Sequence, residues 1–296
     1  MRELQATHRC VTFVMLSALI QFALSMNVTE QPVIEHHITK PNTGPNNTER
    51  KITEHLVAEH HDAPNHYLFN NELVSEDPTL FDQIPASVVS NSSNGRGTVY
   101  FRSLPTQAGN CNVVVKQYQR GGMVRHFNKN LYWHGHYSQS RAWLEFKLLV
   151  KMTAIGLPVP TPVAARAKRT FLHLYESTII TQEIEQSETL ADCLKQHSGQ
   201  SADHALWQKT GETIKRFHTA NIYHADLNAS NILISGNDQI YLIDFDKGQL
   251  SPDNRTNWKR GNLDRLQRSL LKYQRNNDNF QYSTEHWHSL LAGYER

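Results

Sequence analysis

Only three cysteines, Cys10, Cys111 and Cys193, occur in 296 residues, and no two of them form a CxxC pair. That excludes a disulfide framework and a cysteine-based zinc site, and it favours a reducing compartment. Net charge is nearly absent as well: the balance is +2, so there is no overall polyanion-binding signature and any basic surface must be local. No apolar run reaches the length of a membrane-spanning helix. Residues 11–26 hold sixteen residues, where about 20 are needed. The 17 histidines are scattered. His36-His37, His60-His61 and His134-Gly-His136 lack convergent Cys or acidic partners, so no zinc site is expected. What remains is an ordinary globular composition, long enough for one two-lobed domain or two small ones.

The informative stretch is His224–Asp246, HADLNASNILISGNDQIYLIDFD. His224-x-Asp226-Leu227 with Asn231, then Asp244-Phe245, has the spacing of a kinase catalytic loop and a metal-binding Asp. The apolar runs Ile232–Ile234 and Ile240–Ile243 flank Gly236-Asn237-Asp238 and predict a hairpin between the two motifs. Phosphoryl transfer asks for positioning and charge neutralisation rather than covalent chemistry. In that scheme Asp226 orients the acceptor hydroxyl and accepts its proton, while Asn231 and Asp244 hold magnesium on the phosphates of ATP.

Upstream, residues 88–118 alternate strand and turn signals. Gly95-x-Gly97 is a candidate nucleotide-covering turn, where absent side chains let backbone amides approach phosphate. Tyr100 stands where a third glycine would complete GxGxxG, and an ordinary hairpin turn is the alternative. Lys116 closes the β-branched run Val113–Val115, as a phosphate-contacting lysine should; a solvent-facing strand-end lysine is the bland reading. Residues 139–152 show helical spacing with Trp143, Phe146, Leu149 and Val150 apolar, and Glu145 is the acid available there to pair with Lys116. Gly156-Leu157-Pro158-Val159-Pro160-x-Pro162 ends that helix and forces extended backbone. Phe171–Tyr175 and Ser177–Glu183 read as two further strands. Gln182, Glu183 and Ile184 then occupy the position from which a kinase hinge offers backbone groups to adenine.

Residues 206–218 place Leu206, Thr210, Ile214 and Phe217 on one helical face and lead into the catalytic loop. Helix, loop, hairpin and metal Asp follow the order of a protein-kinase-like fold. After Asp244 no A-P-E follows, and Ala225 replaces the arginine of H-R-D, which argues against control by a phosphorylated activation segment. A helix over 262–273 with Leu263, Leu266, Leu270 and Leu271 buried comes instead. These absences favour a small-molecule or carbohydrate acceptor. The expected architecture is α+β and bilobal, with an antiparallel-sheet lobe over 66–185 and a mainly helical lobe over 186–296.

The N-terminus conflicts with this scheme. Residues 11–26, preceded by Arg2 and Arg9, resemble a secretory h-region with Ala23-Leu24-Ser25 as a cleavage site. No Lys or Arg follows until Lys40, a charge asymmetry that would export the rest of the chain. An ATP-dependent enzyme needs cytosolic ATP. Because residues 27–65 are polar, Pro/Asn-rich and aperiodic, residues 1–65 are expected to be a disordered extension dispensable for activity, or the product of an upstream start-codon assignment.

Several segments together resemble the 3-deoxy-D-manno-octulosonic acid (Kdo) kinases of Gram-negative bacteria. They are Arg120-Gly121-Gly122-Met123-Val124, Glu145-Phe146-x-Leu148-Leu149, the 156–162 proline run and the His224–Asn231 loop. Asp244-Phe245-Asp246-Lys247-Gly248 and Trp258 followed by Asn262-Leu263-x-Arg265-Leu266-x-Arg268-Ser269-Leu270 match too. The likeness spans roughly 66–290. It implies transfer of the ATP γ-phosphate, with Mg2+, to the 4-hydroxyl of Kdo on Kdo-lipid IVA, at the cytoplasmic face of the inner membrane. Asp246 departs from ordinary kinases, which carry glycine there; it would hydrogen-bond the loop or bias metal binding. The acceptor is anionic, so Arg120, Arg125, Arg265 and Arg268 are candidate substrate contacts, set among aromatic residues that suit an interface. A solvated basic face is the alternative for them. Nucleic acid is disfavoured by the near-neutral charge and the lack of binding motifs. Another kinase-like small-molecule or heptose phosphotransferase keeps every catalytic role, and a pseudokinase binding module is a third reading.

Overall fold

The computed structural model describes residues 56–82, 97–107, 109–118, 132–133, 136–171, 174–196, 204–251 and 257–296. Its first half is a seven-stranded antiparallel sheet. The strands are β1 (Val57–Asp62), β2 (Asn65–Asn70), β3 (Gly97–Thr106), β4 (Gly109–Tyr118), β5 (Tyr132–Trp133), β6 (Pro162–Phe171) and β7 (Leu174–Gln182). They run in the order β1-β2-β6-β7-β4-β3, with β5 pairing β7. Strand period two sorts the side chains between two cores. Tyr67, Phe69, Val113, Val115 and Ile180 pack together on one face. Leu68, Ala165, Ala167 and Ile179 face the other way, into the larger core around helix α1 (Arg141–Ala154). With Val113 and Val115 committed to the first face, Lys116 and Tyr118 are placed on the second.

Two expectations about this half need correction. The sheet begins at Val57, inside the stretch read as leader, because β1 pairs along its whole length with β2. As an edge strand it buries little, so VAEHHD carries no alternating apolar signal. Strand β6 also runs Pro162–Phe171 rather than starting at Phe171. Its Ala164, Ala165 and Ala167 are fully buried, but alanine has no β preference, and only the central position in the sheet makes them strand residues.

The second half contains β8 (Ser187–Thr189), β9 (Ile222–Tyr223), β10 (Ile232–Ser235), β11 (Ile240–Leu242) and β12 (Gln249–Leu250). With them are helices α2 (Leu190–Gln196), α3 (His204–Thr219), α4 (Asn257–Asn276) and α5 (Thr284–Glu295). The expected hairpin is present, with Ile232 opposite Leu242 and Ile234 opposite Ile240. Leu206, Thr210, Ile214 and Phe217 of α3 are buried as the helical spacing requires. Leu263, Leu266 and Leu270 of α4 are buried too, but Leu271 is 41% exposed, since one residue on from Leu270 the helix has turned by roughly 100°. Helices α3 and α5 touch backbone to backbone. A Cβ on Gly211 would lie 2.0 Å from Leu290 O, and one on Gly293 would lie 2.1 Å from Gln208 O. None of the helices described is long and apolar enough to cross a membrane.

Candidate active site

Three segments distant in sequence meet at Lys116. Its Nζ lies 2.5 Å from Asp244 Oδ1 and 3.3 Å from Glu145 Oε2. The β4 register delivers the lysine, α1 delivers the glutamate, and a turn after β11 delivers the aspartate. Asp244 adopts φ +63° and Lys247 φ +60°, left-handed backbone that costs a non-glycine residue about 1 kcal/mol or more and occurs where the surroundings enforce it. Burial disfavours the charge on Lys116, but Glu145 and Asp244 outweigh it and hold the ammonium above its usual range. Burial likewise acts against ionisation of Asp244, and Lys116 overcomes it, so the carboxyl titrates lower than usual.

Around this centre Tyr118 donates its hydroxyl to Glu145 Oε2. Arg141, one helical turn before Glu145, grips Asp246 through two nitrogens, with Nε 2.5 Å from Oδ1. The Arg141 guanidinium and the Lys116 ammonium lie 4.8 and 4.7 Å from the Tyr118 ring centre. Asp246 therefore pairs across to the helix of the other half instead of standing beside Asp244 as a second metal ligand.

The catalytic-loop segment is held from below. His224 Nε2 donates to Ile243 O at 2.9 Å and its Nδ1 accepts from Asp226 N at 3.2 Å, which fixes a neutral tautomer. Burial lowers its pKa, and the bond to Ile243 O, which favours the protonated ring, does not offset that. Asn262 of α4 clamps the same residue: its Nδ2 donates to His224 O at 2.9 Å and its Oδ1 accepts from His224 N at 3.3 Å. Asn231 donates Nδ2 to Asp226 O at 2.9 Å. Since a carbonyl only accepts, this sets the orientation of the amide and turns its oxygen away from Asp226. The Asp226 carboxylate is 60% exposed, with Arg265 at 3.6 Å. Arg268, three residues along the same helix, is exposed.

The groups assembled are a lysine, a carboxylate open to solvent on Asp226, and side-chain oxygens on Asn231 and Asp244, a set whose chemistry suits phosphoryl transfer. Among the described residues no cluster of three or more His, Cys, Asp or Glu converges as a complete metal site. One carboxylate and one amide oxygen suit magnesium, which takes its other ligands from phosphates and water.

Residues 81–294 match the model of the Lipopolysaccharide kinase (Kdo/WaaP) family. The chain belongs to this family. It is a phosphotransferase, and its architecture is α+β, an antiparallel sheet followed by a mainly helical half. Among its relatives, a 3-deoxy-D-manno-octulosonic acid kinase of Vibrio vulnificus (strain CMCP6) is 37% identical over 224 residues, covering 76% of this chain and 89% of the relative. One of Haemophilus influenzae (strain PittEE) is 35% identical over 240 residues, covering 78% and 96%. A solved structure of WaaP in complex with acyl carrier protein aligns at 19% identity and TM-score 0.45, covering 68% of this chain and 79% of that one.

In this Kdo/WaaP kinase the structure pairs Lys116 with Glu145, as expected, brings Asp244 to the same lysine, which was not, and joins Asn231 to Asp226. Gly97 opens β3 opposite Tyr118; Gly95, Arg120 and Arg125 lie outside the described residues. Gln182 ends β7, and its side chain contacts Cys111 Sγ at 3.3 Å. Glu183 N donates to Asn112 O and Ile184 O accepts from Ser187 Oγ. A cavity of about 550 Å³ touches residues 182–186, but its other walls are Val159–Thr161 and the hairpin turn, and Lys116, Asn231 and Asp244 do not line it. Tyr118, Arg141 and Asn262 escaped as site residues. Tyr118 shares the face of Lys116 by strand period, and Arg141 that of Glu145 by i,i+4 spacing, so both left a trace in the sequence. Asn262 acts 38 residues away from His224, and no local pattern reports that.

Proposed function

We propose that the chain transfers the γ-phosphoryl group of ATP to the 4-hydroxyl of the Kdo sugar of Kdo-lipid IVA. The observation that carries this reading is the convergence of Lys116, Glu145 and Asp244, with Asp226 open to an acceptor, in a member of the Kdo/WaaP family. Lys116 neutralises phosphate oxygens of ATP. Asn231 and Asp244 hold Mg2+, which supplies charge neutralisation on the transferring group. Adenine meets the Glu183 carbonyl and the Ile184 amide, the hinge groups left by the bonds to Asn112 and Ser187. The sugar oxygen attacks the γ-phosphorus, ADP departs with the bridging oxygen, and the hydroxyl proton passes to the Asp226 carboxylate.

Arg265 stands beside the proton acceptor and is 45% exposed, so it is available to a sugar carboxylate, for which a guanidinium offers a matching fork. Arg268 and the other basic residues of α4 face phosphorylated lipid. Residues 66–185, extended back to β1, act as the nucleotide-covering lobe, and 186–296 as the acceptor lobe. The enzyme works peripherally, at the cytoplasmic face of the inner membrane.

The test is mass spectrometry of Kdo-lipid IVA after incubation with the full chain, Mg2+ and ATP, with Asp226→Ala in parallel. A gain of one phosphate that the variant loses supports acceptor and loop together. Absence of any gain from folded, ATP-binding protein overturns the acceptor and directs the assay to heptose-bearing and small-molecule acceptors.

A further inference from the structure

The sequence of the metal-Asp turn carries an aspartate where kinases carry glycine, and the structure shows what it binds. Starting at Asp244, contacts run to Lys116, from Lys116 to Glu145, and from Glu145 to the Tyr118 hydroxyl. The Tyr118 ring lies under Arg141, and Arg141 grips Asp246. Asp246 is two residues from the starting point, so six side chains form a closed ring through β4, α1 and the turn.

We infer that Arg141 and Asp246 are positioning residues whose ion pair keeps Lys116, Glu145 and Asp244 assembled without any phosphorylated segment. The inference rests on the catalytic reading given above. During turnover Asp244 must exchange Lys116 for a metal ion, and Lys116 must exchange Asp244 for phosphate oxygens. The inner contact of the ring is then lost. The outer half, Glu145–Tyr118–Arg141–Asp246, takes no part in that exchange and persists, so it supplies an ionic tie between α1 and the turn that presents Asp244, beside the packing of Leu148 against Gly248. That turn needs a tie, since Asp244 and Lys247 are both left-handed without being glycine. Arg141 and Asp246 are 19% and 17% exposed, and a mostly buried pair of this kind is costly to break on one side because the other charge is left unmatched. The pair is two-pronged, a geometry that lysine cannot reproduce.

The test uses the full chain. Binding of Mg·ADP is measured by calorimetry and phosphoryl transfer by steady-state kinetics, for Arg141→Gln, Arg141→Lys, Asp246→Asn, Arg141→Asp, Asp246→Arg and the swap that combines the last two. The single neutral variants should weaken Mg·ADP binding and raise the KM for ATP by roughly tenfold, the scale of a small misplacement of catalytic groups, with the KM for the lipid acceptor unchanged. Arg141→Lys should recover part of the loss, and the swap should outperform the sum of its single variants. Lowered melting temperature with unchanged ATP affinity and turnover per folded molecule would overturn the inference, as would additive losses in the swap. Should the single variants not fold, Tyr118→Phe keeps the ring's bulk and removes the Glu145 contact; it should still raise the KM for ATP, and an unchanged value counts against the proposal. Lys116→Met and Asp244→Asn separate the two levels. If they retain activity, the catalytic reading has failed; if they lose it while the Arg141 and Asp246 variants do not, only the ring has failed.

Discussion

Replacing Asn262 by alanine should lower both the stability and the turnover of this enzyme. Asn262 is 2% exposed, and so is His224, whose backbone it clamps at both ends. Its Oδ1 also lies 3.4 Å from His218 Nε2. Truncation leaves His224 N–H, His224 C=O and His218 Nε2–H without that partner. Each buried orphan costs about 1–3 kcal/mol, so the two backbone groups alone imply roughly 2–6 kcal/mol, a large part of the 5–15 kcal/mol typical of a domain. Because His224 orients the amide of Asp226, turnover should also fall by about ten- to a hundredfold. Asn262→Asp preserves size but sets a carboxylate oxygen against the His224 carbonyl, and should lose nearly as much. The assay is urea unfolding of each variant, with kcat measured per folded molecule. A stability loss below about 1 kcal/mol with unchanged kcat would refute the clamp.

Lys116→Met leaves the Glu145 and Asp244 carboxylates without their shared cation; kcat/KM should fall by about two to three orders of magnitude, or 2.7–4 kcal/mol, with Asp244 titrating higher by NMR. Gly293→Ala should cost about 2 kcal/mol or more, since its Cβ would meet backbone at 2.1 Å, whereas Gly261→Ala, with nothing within 4 Å, should be neutral or stabilising in thermal unfolding. Burial, the largest influence on His218, lowers its pKa from 6.5 to about 4, so its unfolded form binds more protons between those values and stability falls as pH falls. From pH 7 to pH 5 this group should cost about 2 kcal/mol, and His218→Gln should flatten the pH dependence of the melting temperature; an unchanged slope would remove His218 from the account.

The loop at His224–Asn231, the hairpin and the placement of Asp244 just beyond it were legible in the sequence because their spacing is local: a loop, a two-stranded turn and the residue beyond it are fixed by backbone geometry over 23 residues. The partnership of Lys116 with Glu145 was inferable from a strand-end lysine followed by a helix with a single acid. Helix faces followed from period, and Leu271 marks where that argument slips, since it lies roughly 100° around α4 from Leu270, beyond the face that this helix buries. Strands β1 and β6 were misjudged because an edge strand buries little and buried alanines carry no strand preference of their own. Only the tertiary structure decided that Asp246 pairs with Arg141, that Asn262 clamps His224, and that Arg265 stands at Asp226. Those contacts join residues 105, 38 and 39 positions apart. A charge or an amide takes its partner from whatever the fold brings within about 3 Å, and no periodicity along the chain encodes that distance.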